Sequence, residues 1–406
     1  MRTCFPPLRS ILLVGILCLC QNVNSQDVAN NFPLKNGISK PNILPTHPLG
    51  ILFYTLPHNF KAVPDRVGSI DLQINSGNIW GQPVTTFIPL EEGDRLRIED
   101  IVFFSRIFEF DQDTSPSDSY SIQYDGIIKD IRMTYTLPVG KQSDLSLTGR
   151  SFVLMDGTFP FSTITGDRFI EFFHKTVAGG DDPFAREQIG LDKAAIAYTD
   201  RNGRELKISQ GEFVFSGIEA VLYFYKKAFQ NTVSLNFGTH LGVNLSRFNT
   251  SLDLGVSLAG FRQVRLTQKS NLLMGLGINL MGKDALVFHQ NQPDLGTSRF
   301  FGSFEGHIEY SIKNKRERFH SFGLNYRIQT PYNNKKEEGY YVPSSPTRIA
   351  RWHDASRHLY KFLSYWTLIY SITGKTEFSI FIQQDMLVNN VPDLQTGIRL
   401  RIPLFL

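Results

Sequence analysis

Cysteine is scarce in this chain: three among 406 residues, Cys4, Cys18 and Cys20, all within the first 25 positions. From Gln26 onward there is no material for a disulfide, a thiolate metal site or a cysteine nucleophile. Long apolar runs are missing as well, and no stretch beyond the start reaches the roughly 20 residues of a membrane-spanning helix. Charge of one sign is also lacking. The net charge is +4, and residues 1–25 hold two bases (Arg2, Arg9) and no acid, which leaves +2 for the rest. A nucleic-acid partner would want a strong basic excess, so none is expected. There is no Gly-x-Ser-x-Gly elbow, no phosphate-binding loop and no His-Glu-x-x-His zinc motif. No catalytic residue, metal or cofactor is therefore expected.

What is present begins with a leader. Arg2 and Arg9 precede the ten apolar residues Ile11–Cys20, and Val23-Asn24-Ser25 offers small residues for cleavage before Gln26. Residues 1–25 thus read as a secretory signal peptide. Lipidation at Cys18 or Cys20 is disfavoured, because Leu17 and Leu19 stand where a small residue is required.

The second half carries the strongest signal. Apolar residues recur at every second position for about ten residues at a time. Leu235, Phe237, Leu241, Val243 and Leu245 form one set, and Leu252, Leu254, Val256 and Leu258 the next. Leu272, Met274, Leu276, Ile278 and Leu280 follow, and Ile398, Leu400, Ile402, Leu404 and Leu406 close the chain. Period 2 makes one apolar and one polar face, and the segment length suits a tilted strand crossing a bilayer. The expected fold is all-β: a transmembrane antiparallel up-and-down β-barrel of about 12 strands. The strands are predicted at 67–77, 118–137, 143–155, 213–226, 231–245, 251–265, 270–282, 298–313, 318–330, 358–372, 375–387 and 395–406. Further strands near Leu96–Phe104 and Lys193–Tyr198 would make 14. Short and long connections alternate, as in outer-membrane barrels with short periplasmic turns and long external loops. The outer membrane of a diderm bacterium is the expected location. The closing alternation, up to the C-terminal carboxylate, has the form of a barrel-insertion signal, although Leu406 is not the usual aromatic. Residues 26–66 hold several prolines and little periodicity, and read as an extended periplasmic segment partly tucked into the barrel.

Several phrases carry a resemblance. Leu44-Pro45-Thr46-His47-Pro48-Leu49 with Ile51–Pro57, Tyr124-Asp125-Gly126, Tyr135–Gly140 into Asp144–Leu147, and Phe169–His174 followed by Gly179-Gly180 are similar to those of an uncharacterised family of outer-membrane proteins, a domain of unknown function. The resemblance covers about residues 40–210. It implies a barrel and a location, not an activity.

The long connection 156–212 contains TGDRFIEFFHKTV, in which Phe169, Ile170, Phe172 and Phe173 cluster at helical spacing. A short helix within an external loop folds inward as a constriction or lies on the membrane surface. The expectation is that it narrows the pore, with Asp167, Glu171, Phe172, Phe173 and His174 at the constriction. Glu171 and His174 share a face, but that spacing alone is weak ground for chemistry or a metal.

If apolar positions face lipid, the intervening ones line the lumen. On one wall these are small or polar, among them Ser234, Asn236, Gly238, His240, Gly242, Asp253, Gly255, Gly275 and Gly277, which leaves space. Farther on, Glu305, His307, Glu309, Arg327, Glu377, Asp385, Arg399 and Arg401 form a wall of mixed charge. Glu305 and Arg327 stand equally far from the turn near residue 316 and should be cross-strand partners. Loop 331–357 holds Lys335, Lys336, Arg348, Arg351 and Arg357, basic groups that suit lipopolysaccharide phosphates. The expected function is a channel for passive or gated passage of small polar solutes. The alternatives are a closed structural or surface-interaction barrel, favoured if residues 26–66 or 156–212 fill the lumen, and a barrel enzyme acting on lipid.

Overall fold

The computed structural model describes residues 35–44, 49–55, 57–86, 120–158, 164–178, 191–200, 203–229, 232–332, 362–385 and 394–404, with short pieces at 102–103, 106–107, 343–345 and 348–349. The leader, most of the basic loop 331–357 and the last two residues lie outside the described residues.

Fourteen strands make one antiparallel sheet: β1 (Ser69–Thr86), β2 (Tyr120–Pro138), β3 (Ser143–Met155), β4 (Ala195–Thr199), β5 (Glu205–Ser209), β6 (Phe213–Ala228), β7 (Val233–Ser246), β8 (Asn249–Arg265), β9 (Ser270–Val287), β10 (Phe300–Lys313), β11 (Phe319–Gln329), β12 (Leu363–Thr373), β13 (Glu377–Asp385) and β14 (Leu394–Pro403). Twelve of them close a barrel, since β1 pairs with β2 on one side and with β14 on the other, Ser69 opposite Pro403. β4 and β5 are additions. β4 pairs with the first residues of β2, Ser121 with Thr199, and β5 pairs with β4. Of the two extra strands foreseen, the one near Lys193–Tyr198 exists as β4, but it extends the rim instead of widening the barrel. Near Leu96–Phe104 the described residues hold only a two-residue pairing, Val102 with Ile107 and Phe103 with Arg106.

Alternation sets the two faces. Outward positions are exposed and apolar: Leu72, Ile74, Ile131, Met133, Phe237, Leu241, Leu254, Val256, Leu258, Ile278, Leu280, Ile308, Phe322, Leu324, Leu368, Ile380 and Ile398. A continuous apolar band of this extent is a surface for lipid rather than water. The intervening residues are buried and largely polar, among them Asp71, Gln73, Asp130, Arg132, Arg150, Glu219, Asn244, Asp253, Glu305, Asn325 and Gln395. One irregularity interrupts the ladder. Arg150 faces Gly217 but Ser151 faces Phe215, so Ser216 is an extra residue. Gly217 takes φ 150° there, against the backbone of Val243, where a side chain would collide.

Five short turns lie at one end of the barrel, between β2 and β3, β6 and β7, β8 and β9, β10 and β11, and β12 and β13, and the two-residue turn between β7 and β8 lies at the other. The end with the five turns is called the turn end here, and the opposite one the loop end. Among the described residues no helix is long and apolar enough to span a membrane.

Candidate functional site

The lumen is where a barrel can act, and here it is occupied. The described residues of the segment 35–66, that is 35–44, 49–55 and 57–66, run inside the barrel. Near its start, Gly37 bridges Lys61, so the two ends of the segment lie side by side. Between them the chain climbs toward the loop end and makes one short 3-10 turn, Gly50–Leu52. Leu44, Leu49, Ile51, Leu52, Phe53 and Tyr54 are almost completely buried. They form one apolar cluster with wall residues Ile79, Tyr124, Phe152, Leu154, Met281 and Phe301, and with Ile196, Leu206 and Ile208 from the additional strands. Each such side chain gains about 1.5–3 kcal/mol from full burial. The loop-end half of the lumen is therefore filled by a packed, largely apolar core.

The small residues of the β7–β9 wall do leave space, and the segment fills it. A Cβ on Gly242 would lie 2.6 Å from the Tyr54 ring, one on Gly275 2.6 Å from Phe60, and one on Gly277 2.5 Å from His58. The missing side chains are the seats of three rings.

The charges foreseen on the wall face inward, but they meet the segment. Lys35 reaches Glu309 at 2.6 Å, and the Ser39 backbone N–H donates to the same carboxylate. Lys40 reaches Glu305 at 2.5 Å, and His58 lies 3.8 Å from it. Glu305 does stand opposite Arg327 in the β10–β11 register, as the turn arithmetic requires. Its carboxylate, however, accepts from Lys40 and from Asn325 (2.7 Å). His307 is buried beside Asn325, its ring 6.3 Å from Phe60. His240 contacts the Tyr54 hydroxyl through Nδ1 (2.9 Å) and Ser257 through Nε2 (2.7 Å). Asp253 accepts from Asn244 and from the Asp284 backbone. Asp385 pairs with Tyr365 along the backbone. The picture of a charged wall lining an open passage is thus corrected: Glu305, Glu309 and His240 meet residues 35–66, while Asp253 bonds to wall residues.

At the turn end the arrangement is looser. Arg399 joins Asp71 (2.7 Å) and Glu377 (2.9 Å), and Arg401 holds Asp65 and Ser69. Lys61 pairs with Asp65 at 2.5 Å. Burial would raise the Asp65 carboxyl, but Lys61 and Arg401 outweigh it and hold it down at about 2. These groups, with Lys35, Lys40, Thr134 and Tyr223, line a cavity of about 320 Å³ that reaches the turn end. Burial pulls the His58 imidazole down to about 3; Glu305 opposes this, while Lys40 and Arg327 add to it. His58 is therefore neutral at pH 7.

The inference from sequence missed a second docking group. Arg150, almost wholly buried, forms an ion pair with Glu219 (2.6 Å) and donates to the Phe53 carbonyl at 2.6 Å and to the Asn244 amide oxygen at 2.9 Å. Beside it Asp130 accepts from Arg132 (2.8 Å) and from Asn75 (2.8 Å). The signal was available: Asp130, Arg132 and Arg150 stand on the inward parity of β2 and β3.

The constriction is a second correction. The predicted helix exists as α1, Asp167–Phe173, continued by one π turn, His174–Ala178. It is outside the lumen. Its anchors are Ser76 and Asn78, which share the outward parity of Leu72 and Ile74. Ser76 meets the Thr165 hydroxyl at 2.8 Å, and Asn78 donates to the Thr165 carbonyl and to Asp167 at 3.0 Å. Asp167, Ile170 and Glu171 face the barrel, whereas Phe172 and Phe173 are exposed. Residues 167–174 therefore do not narrow the pore.

A lipid-acting site would need a nucleophile or a metal with access. Among the described residues no cluster of metal-ligating side chains occurs. Ser257 and His240 are within hydrogen-bond reach, but the other ring nitrogen meets Tyr54 rather than a carboxylate, and both residues are buried under the segment.

No family model matches the chain, and no curated protein does. Its neighbours among solved structures are outer-membrane β-barrels. An outer-membrane channel from Pseudomonas putida F1 is 7% identical, with a TM-score of 0.40, over 86% of this chain and 100% of that one. The KdgM porin is 9% identical, with a TM-score of 0.34, over 83% and 99%. LpxR from Salmonella typhimurium is 6% identical, with a TM-score of 0.36, over 83% and 100%. At such values the likeness says nothing about activity.

Proposed function

We propose that this chain is an outer-membrane barrel of a diderm bacterium that is closed at rest by its own residues 35–66, and that it passes small polar solutes only when that segment leaves. The observation that carries the reading is the way the segment is held at its turn-end half. Lys35–Glu309, Lys40–Glu305 and Asp65–Arg401 are ion pairs between segment and wall, beside a polar cavity of about 320 Å³. Such contacts re-form in water at modest cost, so a polar half is easier to release than an apolar one. Free, passive passage has no support, because the loop-end half is filled by a packed core.

The second reading is a permanently closed structural or surface-interaction barrel. It is favoured by that same core, whose burial of Leu44, Leu49, Ile51, Leu52, Phe53 and Tyr54 opposes release. An enzyme acting on lipid has no comparable support. Lipopolysaccharide contact at loop 331–357 stays a proposal resting on its basic residues.

Planar-bilayer recording separates the readings. The intact protein should show rare openings, and a variant lacking residues 35–62 should be constitutively conductive. An intact protein that is silent at every voltage, with a conductive deletion variant, favours the permanently closed barrel. A deletion variant that folds, by heat-dependent gel mobility, yet conducts nothing would sink the gate.

A further inference from the structure

We infer that α1 is a lipid-facing element: an amphipathic helix that lies against the outside of the barrel and completes its apolar belt where the strands leave a gap, with the acyl chains of the surrounding bilayer as its partner.

The gap is visible in the strands. Going up β1, the outward positions read Leu72, Ile74, Ser76, Asn78. On β2, coming down, they read Lys129, Ile131, Met133. Ser76 stands opposite Lys129 in the ladder, and Lys129 donates to the Ser76 hydroxyl at 2.6 Å. Three polar side chains thus occupy positions that parity assigns to the lipid face, directly above exposed Leu72, Ile74, Ile131 and Met133. Bare polar side chains in hydrocarbon would lose hydrogen bonds to water without replacement.

The helix covers these positions. Thr165 and Asp167 take up the hydrogen bonds of Ser76 and Asn78, and Asp167 also accepts from the Asp192 backbone at 3.0 Å. Gly157, at the start of the same connection, sits so close to Ile127 that a Cβ would approach its side chain to 2.9 Å. The start of the connection is therefore packed onto the barrel wall. Ile170 is buried on this side.

The other face of the helix is apolar and uncovered. Phe169 is 36% exposed, Phe172 58%, Phe173 44% and Val177 64%, and the Phe169 and Phe173 rings stack on each other. In water these side chains would form a costly patch. In the bilayer they extend the band of Leu72, Ile74, Ile131 and Met133 upward without interruption. Arg168, paired with Asp192 at 2.8 Å, is an exposed charge on the helix flank, and Lys175 is a second one on the π turn that follows. An inward constriction would have turned the phenylalanines toward the lumen; the helix turns its acids toward the wall and its rings away from it. That continuity with the barrel's own lipid-facing surface selects hydrocarbon over a second copy of the chain.

The test uses the full chain in phospholipid vesicles. Since no cysteine follows residue 25, single cysteines can be placed at Phe172, Val177, Leu72 and Lys141 and carry a nitroxide label. Labels at 172 and 177 should collide readily with dissolved oxygen and poorly with a water-soluble nickel chelate, as at Leu72. The turn residue Lys141 should show the opposite. A label at 172 that meets the nickel chelate as freely as Lys141 would place the helix in water and overturn the inference. So would a label shielded from both reagents with spin–spin broadening at full labelling, since that would mean a second copy covers the helix. The singly labelled variants leave the anchors Thr165 and Asp167 intact, and heat-dependent gel mobility confirms that each is a folded barrel.

Discussion

Arg150 shows what a single residue must do in a filled barrel. Its guanidinium ties the Glu219 carboxylate, the Asn244 amide oxygen and the Phe53 carbonyl, and so links three strands, β3, β6 and β7, to the segment at one point. Replacing it with Met leaves a buried, unpaired Glu219. Arg150→Met should cost about 3–5 kcal/mol, and Arg150→Met with Glu219→Met should recover most of that, because the uncompensated charge is the larger penalty. Urea midpoints in detergent micelles measure both; equal destabilisation of single and double variants would show that the pair is not coupled. His58 gives the pH prediction. With its pKa near 3 when docked and an ordinary 6.5 when released, the docked segment binds fewer protons between those values. Docking therefore weakens as pH falls through that window, by at most about 1.4 kcal/mol per unit. Asp65 acts in the same direction further down, from its ordinary value to about 2. The groups facing His58 are Glu305, Lys40, Arg327 and His240. Opening frequency in bilayers should rise from pH 7 to pH 5, and His58→Gln should flatten that rise.

At the scale of elements, the barrel strands were legible because period 2 and turn residues report the same boundaries. The predicted 143–155 coincides with β3, and 270–282 captures all but the last turn-out of β9. Glu305 and Arg327 paired as counted, since register follows from a short turn. That the segment 35–66 fills the lumen was legible only as one alternative: it has no periodicity, and its contacts are with residues up to 359 positions away, such as Arg399 with the Lys40 carbonyl. The indirect sign lay in the wall. A run of inward glycines at 238, 242, 275 and 277 needs something large opposite. The side taken by α1 was also unreadable from its own residues, because an amphipathic helix fits a lumen or a membrane equally well; the polar outward pair Ser76 and Asn78 held that information. A test at this scale is Gly242→Val, which should unseat Tyr54 and raise the opening frequency. Combining it with Tyr54→Ala should return it toward the parent. An unchanged Gly242→Val recording would mean that Tyr54 is not seated there.

The whole molecule is a barrel with two unlike halves inside one lipid-facing shell: an apolar core at the loop end and an ion-paired cavity at the turn end. Everything proposed about opening depends on residues 35–66 being in the lumen of the folded protein in its membrane. The most direct measurement is zero-length carbodiimide coupling of intact membranes, followed by peptide mass spectrometry. Lys40 and Glu305 are 2.5 Å apart, and Lys35 and Glu309 2.6 Å. Amide cross-links should join Lys40 to Glu305 and Lys35 to Glu309, with both lysines protected from a water-soluble acylating reagent that modifies Lys141. Lysines 35 and 40 that acylate as fast as Lys141, with no cross-link to strand β10, would contradict the placement of residues 35–66 in the lumen.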